Sequence, residues 1–179
     1  MILFAEEVKY DFRKTNWGMS VEQVKATEDK KPGGESDTVL AYEVEIDAKD
    51  FICLYQFLEN KLFFSGYNYK EEHINYNLYI NDYEDLKEIL IKKYGKPMKD
   101  EEMWDNLSEW ELEAYKQNLG NSISAGFLTY FAFWETFTTR IELILDGDNY
   151  EINLRIRYIS KELEEWANKI KEERAKSEF

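Results

Sequence analysis

The residues to weigh first for chemistry are the single histidine, His73, and the single cysteine, Cys53. A general base needs a nucleophile within hydrogen-bond reach, and the charged stretch 70–73 indicates no such partner for His73. We therefore interpret His73 as an exposed or capping residue. Cys53 lies in the apolar run 51–55, where a small buried hydrophobe fits, and it has no second cysteine for a disulfide. The sequence thus predicts no catalytic residue.

Two acidic stretches resemble calcium sites at first sight. Asp100, Glu101 and Glu102, followed by Asp105, offer oxygen ligands, but they lack the alternating spacing and central glycine of a calcium loop. The segment 146–149, Asp-Gly-Asp-Asn, lies between two predicted strands, where such residues form a turn. We predict no metal ion and no cofactor.

Three of the five arginines, Arg140, Arg155 and Arg157, lie on the polar face of the last predicted hairpin and form a positive island. Arginine binds carboxylates through a forked pair of donors and stacks on aromatic rings, which suits a docking face for an acidic partner. Tyr67 and Tyr69 would extend this face. The alternative is a salt-bridged sheet surface, because cross-strand pairs of opposite charge are common.

A second candidate site is a cleft at Trp104, Trp110 and Glu111, within a segment at about 100–120 that is rich in tryptophan and acid. Such a cleft between an insertion and a sheet would suit a small ligand. The same tryptophans, with Trp134, can instead pack the insertion on the sheet, and we favour that interpretation.

The net charge narrows the choice of partners. The chain has 179 residues and a formal charge of -14 at pH 7. Nucleic-acid binding is driven largely by Lys and Arg displacing counterions, so we expect no nucleic-acid partner. Beyond residues 1–5, no segment approaches the roughly 20 consecutive apolar residues of a membrane helix, so we predict no membrane insertion.

The first half of the pattern begins with a helix start. After a turn at Gly18, Ser20 and Gln23 have the spacing of a capping box for a helix at about 21–29. An alternating strand and a hairpin of two strands follow, at 40–47, 51–57 and 62–69. Regular pairing in that hairpin would place Tyr67 and Tyr69 on the face opposite its Phe-rich side chains.

The second half repeats this order of elements. Asn81 is predicted to cap a helix that ends at Gly95, and Ser108 a shorter one inside the insertion. Three strands follow at 128–134, 138–145 and 150–159. Ser160 then caps a terminal helix, 161–176, whose narrow apolar stripe could pack on a second copy of the chain and comprises Leu163, Trp166 and Ile170.

Together these elements predict an α+β fold with a single antiparallel sheet of about six strands and helices packed on one face. We expect one domain over 1–179, built from two helix-plus-three-strand halves. The first half covers about 12–70 and the second about 80–160, with the insertion at about 100–120. The chain would be a monomer or a homodimer.

The segment 17–24, Trp-Gly-Met-Ser-Val-Glu-Gln-Val, resembles the helix start of the BamE (SmpA) type of outer-membrane-assembly lipoproteins, in which helices precede a three-stranded antiparallel sheet. A tandem of such units resembles the beta-lactamase inhibitory protein fold, and the layout is also similar to that of secreted bacterial proteins. No cysteine follows the apolar N-terminal residues, so the lipid attachment of those lipoproteins has no residue to use here.

The resemblance implies an extracytoplasmic protein-binding or assembly module without enzymatic activity. The alternative is a small-molecule binding protein or hydrolase that uses the Trp/Glu-lined cleft. An extracytoplasmic location follows if Met1–Ala5 is the remnant of a signal peptide, whereas a cytoplasmic one follows if these residues begin the first strand.

Overall fold

The computed structural model describes residues 10–177. This part of the chain contains five helices and eight strands, in the order α1 (Val21–Lys25), β1 (Gly34–Glu35), β2 (Val39–Ile46), β3 (Lys49–Leu58), β4 (Lys61–Tyr69), α2 (Asn77–Tyr94), β5 (Lys99–Trp104), α3 (Glu109–Tyr115), α4 (Leu119–Ser124), β6 (Leu128–Glu135), β7 (Thr139–Asp148), β8 (Glu151–Ser160) and α5 (Leu163–Ser177). The proposed signal-peptide remnant at Met1–Ala5 lies outside the described residues.

All eight strands join one antiparallel sheet in the order β1-β2-β3-β4-β8-β7-β6-β5. Within each half every strand pairs with the next one along the chain, and the halves meet where β4 pairs with β8. The prediction of an α+β fold around a single antiparallel sheet is confirmed. The predicted number of about six strands is wrong, because each half has an additional edge strand.

The two edge strands, β1 and β5, form through pairing with a neighbour and not through a strand pattern of their own. β1 lies in a Pro/Gly-containing loop, where Gly34 pairs with Ala41 of β2. β5 pairs with β6 along its whole length, and its charged first residues, 99–102, are exposed, which is typical of a protected edge. The predicted insertion at about 100–120 therefore begins with a strand, and its helices follow.

The local signals at the start of α1 are confirmed. Gly18 has a φ of +82°, which lets the chain turn before the helix. The Ser20 hydroxyl accepts a hydrogen bond from the Gln23 backbone N–H, and the Gln23 side chain accepts one from the Ser20 N–H. Both ends of the capping box are present, so two of the free N–H groups at this helix end are satisfied.

The sequence predicted the end of α2 correctly but not its start. The helix ends as predicted at Gly95, whose φ is +83° and whose N–H donates to the Ile91 carbonyl. It begins at Asn77, one turn before the predicted cap at Asn81, and the Asn75 carboxamide accepts a hydrogen bond of 3.1 Å from the Asn77 N–H. The earlier start lets the first turn of α2 contact α4, where the Gly120 N–H donates to the Asn77 side chain.

Three hairpins of the sheet turn through pairs of residues that both have positive φ angles, namely Asp47–Ala48, Glu59–Asn60 and Asn149–Tyr150. Two such residues in succession give the turn whose twist matches that of paired strands. The last hairpin therefore turns beyond the predicted 146–149, because β7 and β8 stay paired as far as Asp148 and Glu151.

A β-bulge at Phe63 decides the register of β4. Phe57 pairs with Leu62, as predicted, but the next pair joins Gln56 to Phe64, so that Phe63 is an extra residue. Since side chains alternate between the two faces of a strand, one extra residue reverses the face of every side chain beyond it.

Tyr67 and Tyr69 consequently lie directly opposite Cys53 and Phe51, on the same face as these residues. The prediction that the two tyrosines fall on the face opposite the Phe-rich side chains is wrong. Their rings join the aromatic core, where Tyr69 lies 5.2 Å from Phe51 and Tyr67 lies 5.1 Å from Phe12 between ring centroids.

We call the face that carries Cys53 the inner face. Side chains of α1, α2 and α4 pack on it, as shown by Tyr83 of α2, whose ring centroid lies 5.5 Å from that of Tyr130 on β6. Burial of each large apolar side chain here stabilises the fold by about 1.5–3 kcal/mol. The fully buried members include Val24, Leu40, Phe51, Tyr55, Leu62, Tyr83, Leu86, Ile123, Leu128, Trp134, Ile141, Leu143 and Leu145.

The terminal helix, α5, packs on the opposite face, which we call the outer face. Ala167 is buried against Leu58 and Phe63, and the predicted stripe of Leu163, Trp166 and Ile170 is partly buried in this second cluster. The prediction of helices on one face alone is therefore wrong for α5. The bulge explains in part why α5 packs on the outer face, because it turns the Phe63 side chain outward, where the helix contacts it. No helix among the described residues is long and apolar enough to cross a membrane.

Candidate functional site

The candidate docking face is the part of the outer face that α5 leaves uncovered. Strand pairing fixes its side chains in rows that cross the sheet, and two of these rows run from β3 to β6. One row joins Leu54, Gly66, Arg157, Glu142 and Phe133. The next joins Ile52, Asn68, Arg155, Ile144 and Phe131. Arginine thus stands in the middle of each row, with an apolar side chain at either end.

The pairing places Arg140, Arg155 and Arg157 on this one face, as the sequence predicted, and gives each arginine an acidic partner. Both carboxylate oxygens of Asp146 accept hydrogen bonds from Arg155. Glu142 lies 3.1 Å from Arg157 and 2.8 Å from Arg140. The prediction of a positive island is therefore corrected, because neighbouring carboxylates balance the arginine charges.

Glu142 is the most buried charged residue of this network, and it bridges two arginines on neighbouring strands. Arg140 also donates a 2.6 Å hydrogen bond to Glu164 of α5. Burial lowers the pKa of the Arg140 guanidinium, but the hydrogen bond to Glu164 and the charge of Glu142 outweigh it, so the net change is a rise. The guanidinium groups are therefore held in fixed positions.

The apolar parts of the outer face are half-buried. Ile52 and Leu54 stand on β3, and Phe131 and Phe133 stand on β6 with ring centroids 6.0 Å apart. Farther along the face, towards α5, the Arg157 guanidinium lies over the Phe64 ring at 5.4 Å. The outer face therefore combines apolar side chains, stacked rings and fixed arginines.

Two predicted members of the docking face, Tyr67 and Tyr69, lie elsewhere. Tyr67 is buried on the inner face, and the Tyr69 hydroxyl donates a 2.6 Å hydrogen bond to Asp82 of α2. Burial and this hydrogen bond raise the pKa of Tyr69 well above its usual range. Neither ring is available to a partner that contacts the arginines.

The predicted cleft residues have different surroundings in the fold. Trp104 packs against the inner-face core, whereas 74% of the Trp110 surface is exposed on α3. The Glu111 carboxylate accepts hydrogen bonds from the Ser108 backbone N–H and hydroxyl, which caps α3 and lowers the pKa of Glu111. The expectation that Trp110 packs on the sheet is therefore wrong, while Trp134 is buried as expected.

A polar cluster that the sequence did not predict surrounds Asp82. Its Oδ2 atom lies 2.6 Å from the His73 Nε2 atom and also accepts the Tyr69 hydroxyl, and its Oδ1 atom lies 3.4 Å from the Lys49 Nζ atom. His73 is therefore held between β4 and α2, and the prediction of an exposed or capping histidine is wrong. The sequence signal that could have found this pair is the position of Asp82 on the buried face of α2, the helix that follows His73.

This carboxylate–imidazole pair has no activated nucleophile among its described contacts. The hydroxyl nearest to it belongs to Tyr69, which is itself bound to Asp82. The Cys53 thiol is fully buried, and desolvation raises its pKa to about 12, so it stays protonated at neutral pH. The cluster is suited to joining elements and not to acyl transfer.

The acidic stretches do not form a metal centre in the part of the chain that the structure describes, where no group of three or more His, Cys, Asp or Glu residues could hold an ion. Asp100, Glu101 and Glu102 follow one another on β5, so their side chains alternate between the two faces. Asp146 is bound to Arg155.

Comparison with models of protein families, with curated proteins and with solved structures found no match. The fold and the site are those of an α+β protein with one eight-stranded antiparallel sheet and a charge-paired, partly apolar outer face. The resemblance to BamE-type lipoproteins and to the beta-lactamase inhibitory protein fold stays a prediction.

Proposed function

We propose that this chain is a protein-binding or assembly module that contacts its partner through the outer face beyond α5. One observation carries the proposal: in two successive rows of the sheet an arginine stands in the middle and an apolar side chain stands at either end. Protein interfaces are enriched in arginine and aromatic residues at their centres and depleted in lysine, and this pattern matches that composition.

The ion pairs of the face support binding in a second way. Glu142 and Asp146 hold the three guanidinium groups in place, so a partner does not have to immobilise these long side chains. Because the charges of this face are balanced, the face itself contributes little attraction over long distances, and we expect the apolar side chains to supply the affinity.

The occupant that fits this surface is a folded protein with an apolar contact patch. A sheet face is a broad, shallow surface that suits another protein, whereas a small ligand needs a cavity that buries most of its surface. Trp104 packs against the inner-face core and the Glu111 carboxylate caps α3, so neither residue supports the alternative of a ligand cleft or hydrolase site here.

A photo-crosslinking amino acid at position 54 or 133 tests the surface. We expect the same protein to be captured from native extract at both positions and not at position 110, which is exposed on α3. With that partner purified, Leu54→Asp and Phe133→Asp should each weaken binding about tenfold or more, and Trp110→Asp should not. Equal capture at all three positions, or equal affinities, would overturn the proposal.

We also propose an extracytoplasmic location, which rests on the resemblance of the helix start at 17–24 to extracytoplasmic lipoproteins. Fractionation of the native cells with an antibody against the folded chain tests it, and recovery in the cytosol alone would contradict it. Sedimentation equilibrium would distinguish a monomer from a homodimer, the two states that the sequence left open.

A further inference from the structure

A cleft at the junction of the two halves is independent of the outer face. Its walls come from residues 10–13 before α1, from the last turn of α2, and from the β6–β7 turn with Phe137. Its volume is about 700 Å³. Small-molecule sites commonly have volumes of about 300–1,000 Å³ and lie where two structural units meet, so both the size and the place suit a ligand.

The walls of this cleft are held by hydrogen bonds between the halves. The Asp11 carboxylate accepts from the Thr138 hydroxyl on one side and from the Trp17 backbone N–H, at 2.9 Å, on the other. The Trp17 indole N–H donates to the Thr139 hydroxyl at 2.9 Å. The one acidic residue that lines the cleft is therefore engaged in the wall, and the cavity is largely formed in advance.

One cation of the lining is suited to an anionic ligand, although the whole chain carries a net charge of -14. Lys93 and Arg13 line the cleft against the single carboxylate of Asp11. Arg13 is engaged by Glu28 through two hydrogen bonds, at 3.0 and 3.1 Å. Lys93 has no ion pair within residues 10–177, where its ammonium group rests 5.0 Å from the Tyr94 ring centroid. It is the cation that a ligand can reach.

The apolar part of the lining consists mainly of rings. Phe137 at the tip of the β6–β7 turn is 95% exposed, and Tyr10 across the cleft is 45% exposed. Tyr94 lies partly buried between them and the core. Aromatic rings prefer offset or edge-to-face contacts with other rings, so a flat ring entering between these side chains would cover their exposed apolar surface.

We propose that this cleft binds a small molecule composed of an aromatic ring and one acidic group. The ring lies against Phe137 and Tyr10, and the acidic group accepts hydrogen bonds from the Lys93 ammonium group. Arg13 stays paired with Glu28 and is not needed for this contact. The ligand class follows from the cavity, its accessible lysine and its exposed rings taken together.

Two fluorescent probes test the two parts of this proposal. The first, 8-anilinonaphthalene-1-sulfonate, has rings and an anionic group, and N-phenyl-1-naphthylamine has the rings without the anion. We expect saturable binding of the first probe to one site in the wild-type protein. Lys93→Glu should weaken it about tenfold or more, with little effect on the neutral probe, and Phe137→Ser should weaken both.

Matched controls lie close by. Lys92→Glu makes the same charge change in the same turn of α2 but outside the lining, and Tyr150→Ser removes another exposed ring at a hairpin turn. The milder Lys93→Gln serves if the charge reversal disturbs folding, which thermal unfolding reports. Absence of saturable binding in the wild type, or equal effects of the lining and control variants, would overturn the proposal.

Discussion

Arg140 on β7 and Glu164 on α5 are joined by a hydrogen bond of 2.6 Å that ties the terminal helix to the outer face of the sheet. The same guanidinium lies 2.8 Å from Glu142, which also contacts Arg157. Arg140, which the sequence analysis assigned to the docking face, therefore also fixes α5 and with it the boundary of the uncovered surface.

The first prediction concerns this link. Arg140→Ala removes the partner of Glu164 and leaves the buried Glu142 with Arg157 alone, so we expect a loss of about 1–3 kcal/mol in the free energy of unfolding. Denaturant unfolding measures the loss, and hydrogen exchange should show faster opening of α5. As control, Lys161→Ala breaks the surface pair with Glu135 and should cost less than about 1 kcal/mol. Equal losses would contradict this role.

The Asp82 cluster gives the second prediction. Asp82→Ala leaves the Tyr69 hydroxyl and His73 without their shared acceptor, and we expect a loss of about 1–3 kcal/mol in the free energy of unfolding. Asp85→Ala, which removes the other carboxylate near Lys49 from a more exposed position, should cost less than about 1 kcal/mol. If the two variants lose equal stability, the cluster does not join β4 to α2 as described.

The third prediction concerns alkaline pH and Cys53. Its folded pKa is raised to about 12, so between the ordinary thiol pKa of about 8.5 and 12 the unfolded chain has lost a proton that the folded chain keeps. Stability therefore falls as pH rises through this range, and the thiol contributes about 1–2 kcal/mol of that fall by pH 10. Unfolding free energies of wild type and Cys53→Ala at pH 7 and 10 measure it. A Cys53→Ala variant that loses as much stability as wild type would contradict the assignment.

The fourth prediction tests the close packing of β4 on β8. A Cβ atom added to Gly66 would lie 2.5 Å from the Ile156 carbonyl oxygen, a backbone atom that cannot move without disturbing the sheet. Gly66→Ala should therefore destabilise the protein by about 1–3 kcal/mol in denaturant unfolding. Gly33→Ala is the control, because its nearest atom would be 3.9 Å away. An unchanged midpoint for Gly66→Ala would show that the two central strands are less closely packed.

Much of the fold was predicted because its signals act between residues that are near one another in the chain. The Ser20–Gln23 capping box, the turn at Gly18 and the end of α2 at Gly95 each need only a few neighbouring residues, and each formed as predicted. The alternation of apolar and polar residues also identified the long strands and placed Arg155 and Arg157 on one face.

The features that the sequence did not predict depend on contacts between distant segments. The bulge at Phe63 moved the side chains of Tyr67 and Tyr69 to the inner face. It depends on a distant segment, because Phe63 packs with Ala167 of α5 on the outer face. β5 exists through its pairing with β6, and its own charged residues would not predict a strand.

The sequence by itself determined the start of α1, the end of α2, the long strands, the antiparallel α+β class and the polar face that carries the arginines. The tertiary structure alone decided the charge of that face, since Glu142, Asp146 and Glu164 reach the arginines across strands and from α5. It also decided that His73 meets Asp82. The physical reason is that local conformational preferences follow the chain, whereas register and charge pairing are selected by burial between segments far apart in it.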